Sequence, residues 1–381
     1  MPVQPHNYRS VLCLCLSGIG DALTFTPFVQ ALHAARPELV IDVLVMFKSA
    51  AALFHTNPAV QDVLFVDFLN QPGWRSLREM LAVRQRNYDA VVAALPANRW
   101  EYNLIQVLAG GRRIGHRYLH CDRINLNFLK QDAVCEDDQL HVVEKNLQLL
   151  PFLGVPVPAQ PAGLLMAITA DDRCVADAWL QTRTLGQRRL IGLHPGSAMF
   201  KNHINKRWPA AEFAALAARC VDELDADLLV FGEPAEQALK ERIVQQAARP
   251  ARVHAVDHTT LRQSAALIAR CAVMVTNDSA LMHVAAAMHT PVVAIFAYTN
   301  PRGLYPWQVP HRIVRHDLPC SPCFYYSPKP AGCRVRLDYA CIRHITVREV
   351  FAAVLDLLNA PRAEGNADHP AVDGTPSSRI G

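Results

Sequence analysis

Short apolar runs alternate with longer amphipathic segments along most of the chain. A short continuous apolar run predicts a strand buried on both faces, and apolar residues at helical spacing predict a helix. In the first half, the predicted strands are 11–16, 40–45, 63–66, 90–95 and 114–115, and the predicted helices are 22–35, 74–86 and a segment around Leu104. This repeated β-α-β order predicts a parallel sheet that is covered by helices on both faces.

The alternation restarts after a segment with four prolines between residues 151 and 161. Because proline interrupts regular structure, we expect a domain boundary within about 151–185. The second half then predicts strands at 190–193, 228–231, 273–276 and 292–296, and helices at 210–224, 234–248, 261–269 and 280–288. The pattern therefore predicts an α/β protein of two doubly wound, Rossmann-like domains, 1–165 and 185–360, which face each other across a cleft.

Composition narrows the class of protein further. The chain has 381 residues, 51% of them hydrophobic, which is enough for two buried cores. Its 38 Lys and Arg nearly balance its 34 Asp and Glu, so the charge does not indicate a nucleic-acid-binding protein. It lacks the apolar patterns of a membrane span and of a secretory signal, so we expect a cytoplasmic protein with, at most, peripheral contact with the inner membrane. Residues 361–381 have almost no large apolar side chains and are expected to be disordered.

The first motif is the turn Ser17-Gly18-Ile19-Gly20-Asp21, which follows a predicted strand and opens a helix. Gly18 and Gly20 allow a tight turn and close approach of a ligand, and a helix N-terminus stabilises the anionic form of Asp21. A carboxylate that faces a cleft is a competent general base, although a carboxylate here can also serve only to cap the helix. Position 23 is Leu, so the third glycine of a dinucleotide-binding fingerprint is missing.

The second motif is His194-Pro195-Gly196-Ser197, followed by Lys206-Arg207-Trp208-Pro209 before the next predicted helix. Gly and Ser after a strand provide backbone and hydroxyl donors for phosphate oxygens, and Lys206 provides positive charge for a diphosphate leaving group. The alternative is a solvated pair of basic residues on the surface. Lys201 and His203 are further candidates for phosphate contacts.

The third motif, Asn277-Asp278-Ser279-Ala280-Leu281-Met282-His283, follows a predicted strand and runs into a helix. Backbone N–H groups at a helix start, together with the Ser279 hydroxyl, favour a bound anion. A histidine one turn further along is more often a packed core residue. However, three phosphate-compatible turns at the ends of three strands predict one site.

In combination, these motifs resemble glycosyltransferase family 9, the ADP-heptose:lipopolysaccharide heptosyltransferases. The family pattern is a G-x-G-D turn followed by T-P, a P-G-S/A turn with K-R-W-P, a G-x-x-x-E segment and D-S/T-G-x-x-H before a T-P strand. The chain matches this order over about residues 10–350, with Ala280 where the family usually has Gly. The resemblance implies a GT-B fold and an inverting transfer of heptose from ADP-heptose to a lipopolysaccharide core or related lipid-linked saccharide.

The resemblance also implies roles for individual residues. Asp21 would deprotonate the acceptor hydroxyl in the first, acceptor-binding domain, and Lys206 would neutralise the leaving diphosphate in the second, nucleotide-sugar-binding domain. The diphosphate would lie at the helix that begins at the third motif, held by Asp278, Ser279 and His283.

Glu236, four residues after Gly232, would bind the ribose hydroxyls. Because the nucleotide sugar is a substrate and its leaving group is neutralised by these residues, neither a cofactor nor a divalent cation is expected. Two alternatives remain at this point: a sugar-nucleotide epimerase or hydrolase of the same fold, and a non-catalytic saccharide-binding relative.

Two further signals have weaker interpretations. Four thiols can bind zinc, but the last two of Cys320, Cys323, Cys333 and Cys341 lack C-x-x-C spacing, so reduced thiols that pack a loop are favoured over a structural metal site. The neighbouring segment 324–326 either lines the cleft or packs. Asp225-Ala226-Asp227 resembles the D-x-D metal motif of GT-A glycosyltransferases, but it precedes a strand and is predicted to be a surface turn.

Overall fold

The computed structural model describes residues 8–118, 124–324, 332–333 and 335–360, except for the side chains of Phe200 and Lys201. The segment 361–381, which we expected to be disordered, lies outside these residues, as do Tyr325 and Tyr326.

The first half of the chain forms a parallel six-stranded sheet. Its strands are β1 (Ser10–Cys15), β2 (Val40–Val45), β3 (Asp62–Phe65), β4 (Ala90–Ala93), β5 (Arg112–Arg117) and β6 (Asp132–Cys135). Their order across the sheet is β3-β2-β1-β4-β5-β6. The central strands β1 and β4 are almost entirely buried, because helices cover both faces of the sheet.

The second half forms a second parallel six-stranded sheet. Its strands are β7 (Leu190–His194), β8 (Asp227–Val230), β9 (Val253–Ala255), β10 (Val273–Asn277), β11 (Val292–Ile295) and β12 (His311–Val314). Their order, β12-β11-β10-β7-β8-β9, repeats that of the first sheet. The predicted pair of Rossmann-like sheets in an α/β protein is therefore confirmed.

Helices connect the strands of both sheets. They are α1 (Ile19–Ala35), α2 (Lys48–Phe54), α3 (Gly73–Arg84), α4 (Trp100–Ala109), α5 (Val142–Leu147), α6 (Ala170–Gln181), α7 (Ala210–Leu224), α8 (Gln237–Gln246), α9 (Leu261–Ile268), α10 (Ala280–Ala287), α11 (Pro301–Leu304), α12 (Ala340–Arg343) and α13 (Val347–Asn359). Short 3₁₀ turns include Asn127–Leu129, Phe200–Lys206 and Pro234–Glu236.

The strand orders place the site. Each sheet reverses its direction of winding between its first and fourth strands, β1 and β4 in one and β7 and β10 in the other. Ligands of such sheets bind outside the carboxyl ends of the strands at this point. The three sequence motifs directly follow β1, β7 and β10, so all three lie at a switch point.

The two halves pack together through α1 and α10. One apolar core includes Phe25 and Phe28 of α1 together with Met282 and Ala286 of α10. Because the core is continuous across the two sheets, the motif turns at the start of α1 and at the start of α10 are held close to each other.

The segment between the sheets is more structured than the prolines suggested. It contains α6, which is capped by Thr169 and Asp172, and Arg262 of α9 forms an ion pair with Asp172 at 3.2 Å. Before α6, the chain runs along α1, where Thr26 Oγ1 accepts a hydrogen bond from Leu165 N at 2.9 Å. Part of this segment is therefore packed against both halves.

Candidate active site

The first-motif turn is held by hydrogen bonds to the neighbouring strand and helix. Ser17 Oγ donates to the Pro96 carbonyl at 3.1 Å, and the Tyr102 hydroxyl of α4 donates to the Leu16 carbonyl at 3.2 Å. Gly18 is the N-cap of α1, and Asp21 lies in the first helical turn with a partly exposed side chain. The helix N-terminus favours the carboxylate form of Asp21 at this position.

Gly20 makes the contact between the two halves of the site. A methyl group added at Gly20 would lie 3.2 Å from the Ala280 Cα atom and 3.2 Å from the His283 Cδ2 atom, both in α10. Glycine therefore lets the first-motif turn pack closely on the first turn of α10, and a larger residue would require these neighbours to shift by a few tenths of an ångström. Since Asp21 is the next residue, the structure brings the predicted base beside the predicted phosphate-binding helix.

Lys206 and Asp278 form a buried ion pair behind that helix start. Lys206 Nζ lies 2.9 Å from Asp278 Oδ2, and the Thr299 hydroxyl donates to the same oxygen at 2.8 Å. Burial alone would raise the pKa of Asp278, but the Lys206 ammonium and these hydrogen bonds hold that pKa below its usual range. The Asp278 carboxylate therefore stays charged and positions Lys206. An ammonium has three donors, so Lys206 keeps donors for a further oxygen.

Glu236 is buried beneath the second motif. Its Oε1 atom accepts hydrogen bonds from Ser197 N at 3.1 Å and from Arg207 Nη2 at 2.7 Å. Its Oε2 atom accepts from Glu233 N at 3.1 Å. Burial would raise the pKa of Glu236, but His194 and Arg207 hold that pKa below its usual value. In this arrangement Glu236 organises the Gly-Ser turn, and its predicted contact with ribose hydroxyls remains a prediction.

Glycine at position 196 is required by this packing. A methyl group there would overlap the Glu236 carboxylate. The Asn277 side chain also holds the turn, because its Nδ2 atom donates to the Pro195 carbonyl at 2.8 Å while its Oδ1 atom accepts from Trp208 N at 3.0 Å. Asn277 thus joins the second and third motifs.

His194 connects the Ser279 hydroxyl to Glu236. Its Nδ1 atom lies 2.9 Å from Ser279 Oγ, and its Nε2 atom lies 3.5 Å from Glu236 Oε2. Ser279 is the N-cap of α10, where its partly exposed side chain is available to a ligand at the helix start. A phosphate at this point would meet free backbone N–H groups and the positive end of the helix dipole.

His283 is a neutral, buried imidazole next to this helix start. Burial, reinforced by the Lys206 charge and opposed by Asp278, lowers the pKa of His283 to about 4. Within the described residues its Nδ1 atom has no hydrogen-bond partner. A neutral ring with a buried ring nitrogen of this kind can accept a hydrogen bond from a ligand hydroxyl or donate one to an oxygen.

Two further predicted candidates for phosphate contacts belong to the 3₁₀ turn that ends at Lys206. The side chain of Lys201 is outside the described residues, although its backbone belongs to this turn. The His203 carbonyl accepts a hydrogen bond from Ser197 Oγ at 2.8 Å, while the His203 ring packs edge-on against Phe324 with centroids 4.9 Å apart. The Ser197 hydroxyl, predicted to donate to phosphate, therefore donates to the protein backbone in this structure.

The four cysteines of the C-terminal loop line one cavity of about 290 Å³, together with Tyr298 and Tyr339. Burial, with smaller contributions from the other three thiols, raises the pKa of Cys341 to about 11. Across the described ranges, no group of three or more His, Cys, Asp and Glu side chains is placed to hold a metal ion. The interpretation of reduced thiols that pack a loop stays a prediction.

The D-x-D segment lies at the opposite edge of the second sheet, as predicted. Asp225 ends α7 with an exposed side chain, Asp227 begins β8, and Arg252 forms ion pairs with both carboxylates. These contacts explain the two aspartates structurally.

Several site residues had no predicted role. Three of them lie within the second and third motifs: His194, Arg207 and Asn277. Their positions in sequence close to the predicted site residues could have indicated a role. Thr299 carried no signal, because it follows β11 and reaches Asp278 only through the fold.

Comparison with known proteins shows the family of this chain. Residues 74–331 match the sequence model of glycosyltransferase family 9 (heptosyltransferase). The chain is 34% identical over 318 residues to lipooligosaccharide heptosyltransferase 2 of Haemophilus ducreyi, covering 80% of this chain and 88% of that protein. It is 35% identical over 189 residues to the enzyme of that name from Haemophilus influenzae, where the match spans 49% of each chain, about half the length of that relative.

The fold also matches a solved structure. The family 9 glycosyltransferase of Veillonella parvula superposes with a TM-score of 0.75 at 22% identity, covering 93% of this chain and 99% of that one. The GT-B fold expected from the motifs is thereby confirmed. With the family model matching well over half of its length, this chain belongs to glycosyltransferase family 9, the heptosyltransferase family.

Proposed function

We propose that the protein transfers a heptose from ADP-heptose to a lipopolysaccharide core or a related lipid-linked saccharide, with inversion at the anomeric carbon. The observation that carries the proposal is the packing of Gly20 on the first turn of α10. It supports the proposal because Asp21 is the next residue and lies in the first turn of α1, and a single displacement requires a base of the first half close to the leaving group in the second half.

In the proposed reaction, Asp21 accepts the proton of the acceptor hydroxyl. The hydroxyl oxygen forms a bond to the anomeric carbon as the bond between that carbon and the diphosphate oxygen breaks. Attack from the face opposite the leaving group inverts the configuration. A general base of this kind contributes about 10² to 10⁴ in rate.

The leaving diphosphate carries the charge that develops in the transition state. We propose that this charge is stabilised by Lys206, which is paired with Asp278, and by the N-terminus of α10. The neighbouring Ser279 hydroxyl and the His283 ring would supply further hydrogen bonds to the donor. Because these groups offset the charge, we propose that transfer needs neither a divalent cation nor a cofactor.

The test is transfer from ADP-heptose to a deacylated inner-core saccharide, with release of ADP as the measured product. We expect Asp21→Asn to bind ADP normally and to lower kcat by about 10² to 10⁴. Asp225→Asn is the matched control, since Asp225 is an exposed aspartate at the opposite edge of the second sheet, and it should retain the full rate.

Two outcomes would contradict the proposal. Full turnover in Asp21→Asn would remove Asp21 from the reaction, and release of ADP at the same rate without acceptor would indicate a hydrolase or epimerase. The proposal that transfer needs no divalent cation is tested separately with EDTA. A rate that falls in EDTA and returns with added Mg²⁺, Fe²⁺ or Zn²⁺ would overturn it.

A further inference from the structure

Helix α3 of the first half exposes a row of large apolar side chains. Trp74, Leu77 and Leu81 are exposed, and Trp74 is 61% exposed. Their spacing of three and four residues puts them on one side of the helix. Met80 and Val83 form its buried side. The row therefore adds nothing to the core of the domain.

The neighbouring helix α4 continues this surface. Trp100 is 48% exposed, and Leu104, one turn further along, is also exposed. The two helices lie side by side, because Arg84 at the end of α3 donates to the Val107 carbonyl of α4 at 3.2 Å. We call the exposed side chains of α3 and α4 the apolar face; they are Trp74, Leu77, Leu81, Trp100 and Leu104. Large exposed apolar patches on soluble proteins mark sites of interaction with a protein, a ligand or a membrane.

The apolar face reaches the edge of the sheet where the active site lies. Helices α3 and α4 follow β3 and β4, so their first residues, which include Trp74 and Trp100, lie at the carboxyl ends of the strands. The first turn of α4 contacts the end of β1 directly, since the Tyr102 hydroxyl donates to the Leu16 carbonyl. Next to α4, Phe128 is 79% exposed, and Asn103 of α4 donates to the Asn125 carbonyl in the segment before it.

Arginines border the apolar face. Arg75 and Arg78 are exposed on α3, and the Arg75 guanidinium lies 5.3 Å from the centre of the Trp74 ring. Arg78 has no ion-pair partner in the part of the chain that the structure describes. The one acidic residue of the helix, Glu79, is held by Gln71 at 2.6 Å. An apolar centre that contains tryptophan, with arginines beside it, is the arrangement of helices that lie on anionic membranes.

We propose that the apolar face docks on the surface of an anionic phospholipid bilayer, with Trp74 and Trp100 among the headgroups and Arg75 and Arg78 on lipid phosphates. The inference rests on the proposed function, because a lipid-linked acceptor would enter the cleft from a bilayer at this edge. Among the described residues no helix could cross a membrane, so the contact is with the surface. A second copy fits less well, since a two-fold interface would bring the arginines of both copies together.

Cosedimentation of the full-length protein with vesicles tests the proposal. We expect binding to vesicles of phosphatidylcholine mixed with phosphatidylglycerol, weaker binding to phosphatidylcholine alone, and loss of binding at high salt. Arg75→Gln/Arg78→Gln should weaken binding to the mixed vesicles by about tenfold to thirtyfold. Trp74→Ser/Trp100→Ser should weaken binding to a similar degree.

Matched controls use exposed residues outside the first half. Val175→Ser removes an exposed apolar side chain from α6, and Arg249→Gln removes an exposed arginine; neither should change vesicle binding. Variants of the apolar face should keep the wild-type kcat with a deacylated, water-soluble acceptor and lose rate with an acceptor embedded in vesicles. This difference separates docking from a general loss of folding.

Wild-type binding of the mixed vesicles by the tryptophan or arginine variants would overturn the proposal. So would a dimer in sedimentation velocity that dissociates in the tryptophan variants, because it would assign the face to a second copy. If neither the wild-type protein nor any variant transfers heptose, but vesicle binding follows the expected pattern, the proposed function is wrong and the proposed docking surface is supported.

Discussion

The buried ion pair of Lys206 and Asp278 leads to a quantitative prediction about stability. Lys206→Met removes the ammonium that lies 2.9 Å from the Asp278 carboxylate and leaves Thr299 as the remaining hydrogen-bond donor to that oxygen. Both side chains are buried. A carboxylate left in this position must either stay charged without its counterion or take up a proton.

The size of the effect follows from the burial of Asp278. Lys206 holds the pKa of Asp278 below its usual value against the effect of burial, so removal of Lys206 should raise that pKa and leave the buried carboxylate without its counterion. Removing one partner of a buried ion pair costs about 3–5 kcal/mol, and we expect Lys206→Met to lower the free energy of unfolding by about this amount. We expect Lys206→Met/Asp278→Asn, which removes both charges, to lose about 2 kcal/mol less than the sum of the single variants.

Urea denaturation at pH 7 measures these free energies, and an exposed pair provides the control. Arg219 and Glu223 form an exposed pair one helical turn apart, so Glu223→Gln should cost no more than about 0.5 kcal/mol. The Lys206→Met/Asp278→Asn variant should be folded but bind ADP weakly, because it lacks the Lys206 charge. A loss in Lys206→Met no larger than that in Glu223→Gln, or strict additivity in the Lys206→Met/Asp278→Asn variant, would refute the reasoning.

Three further predictions concern packing, pH and motion. Gly196→Ala should lower stability by about 1–3 kcal/mol and weaken ADP binding, because its methyl group displaces Glu236. Gly73→Ala is the control and should change neither stability nor ADP binding, because a methyl group there meets no atom within 4 Å. Burial, with smaller effects from nearby lysines that include Lys145, lowers the pKa of His116 to about 4. Between about pH 6.5 and 4, His116 is protonated in the unfolded chain but neutral in the folded protein. The free energy of unfolding should therefore fall by about 2 kcal/mol from pH 7 to pH 5 because of His116. His116→Gln should remove this difference in urea titrations at the two pH values. Finally, we expect ADP-heptose with an acceptor analogue to reduce the radius of gyration in solution scattering as the cleft closes; unchanged scattering with transfer intact would show that the cleft is preformed.

The central part of the fold could be predicted because its strands are buried on both faces. The core strands β1, β4, β7 and β10 read as continuous apolar runs in the sequence. The edge strand β3 was predicted, because residues 63–66 form a continuous apolar run. The other edge strands, β6, β9 and β12, were not predicted, since they are short, only partly buried and lack such a run. Their pairing depends on a neighbouring strand rather than on a pattern of their own.

The same distinction holds for the site. The sequence by itself determined which residues follow each strand, because a Gly-rich turn or a helix start needs only local chain geometry, and it thereby predicted Asp21, Lys206 and the start of α10 as candidates. Only the tertiary structure decided that Lys206 pairs with Asp278, 72 residues away, and that Glu236 supports the turn at Ser197, 39 residues away. The pairing of β7 with β10 and with β8 brings these segments together, and no local pattern of residues encodes it.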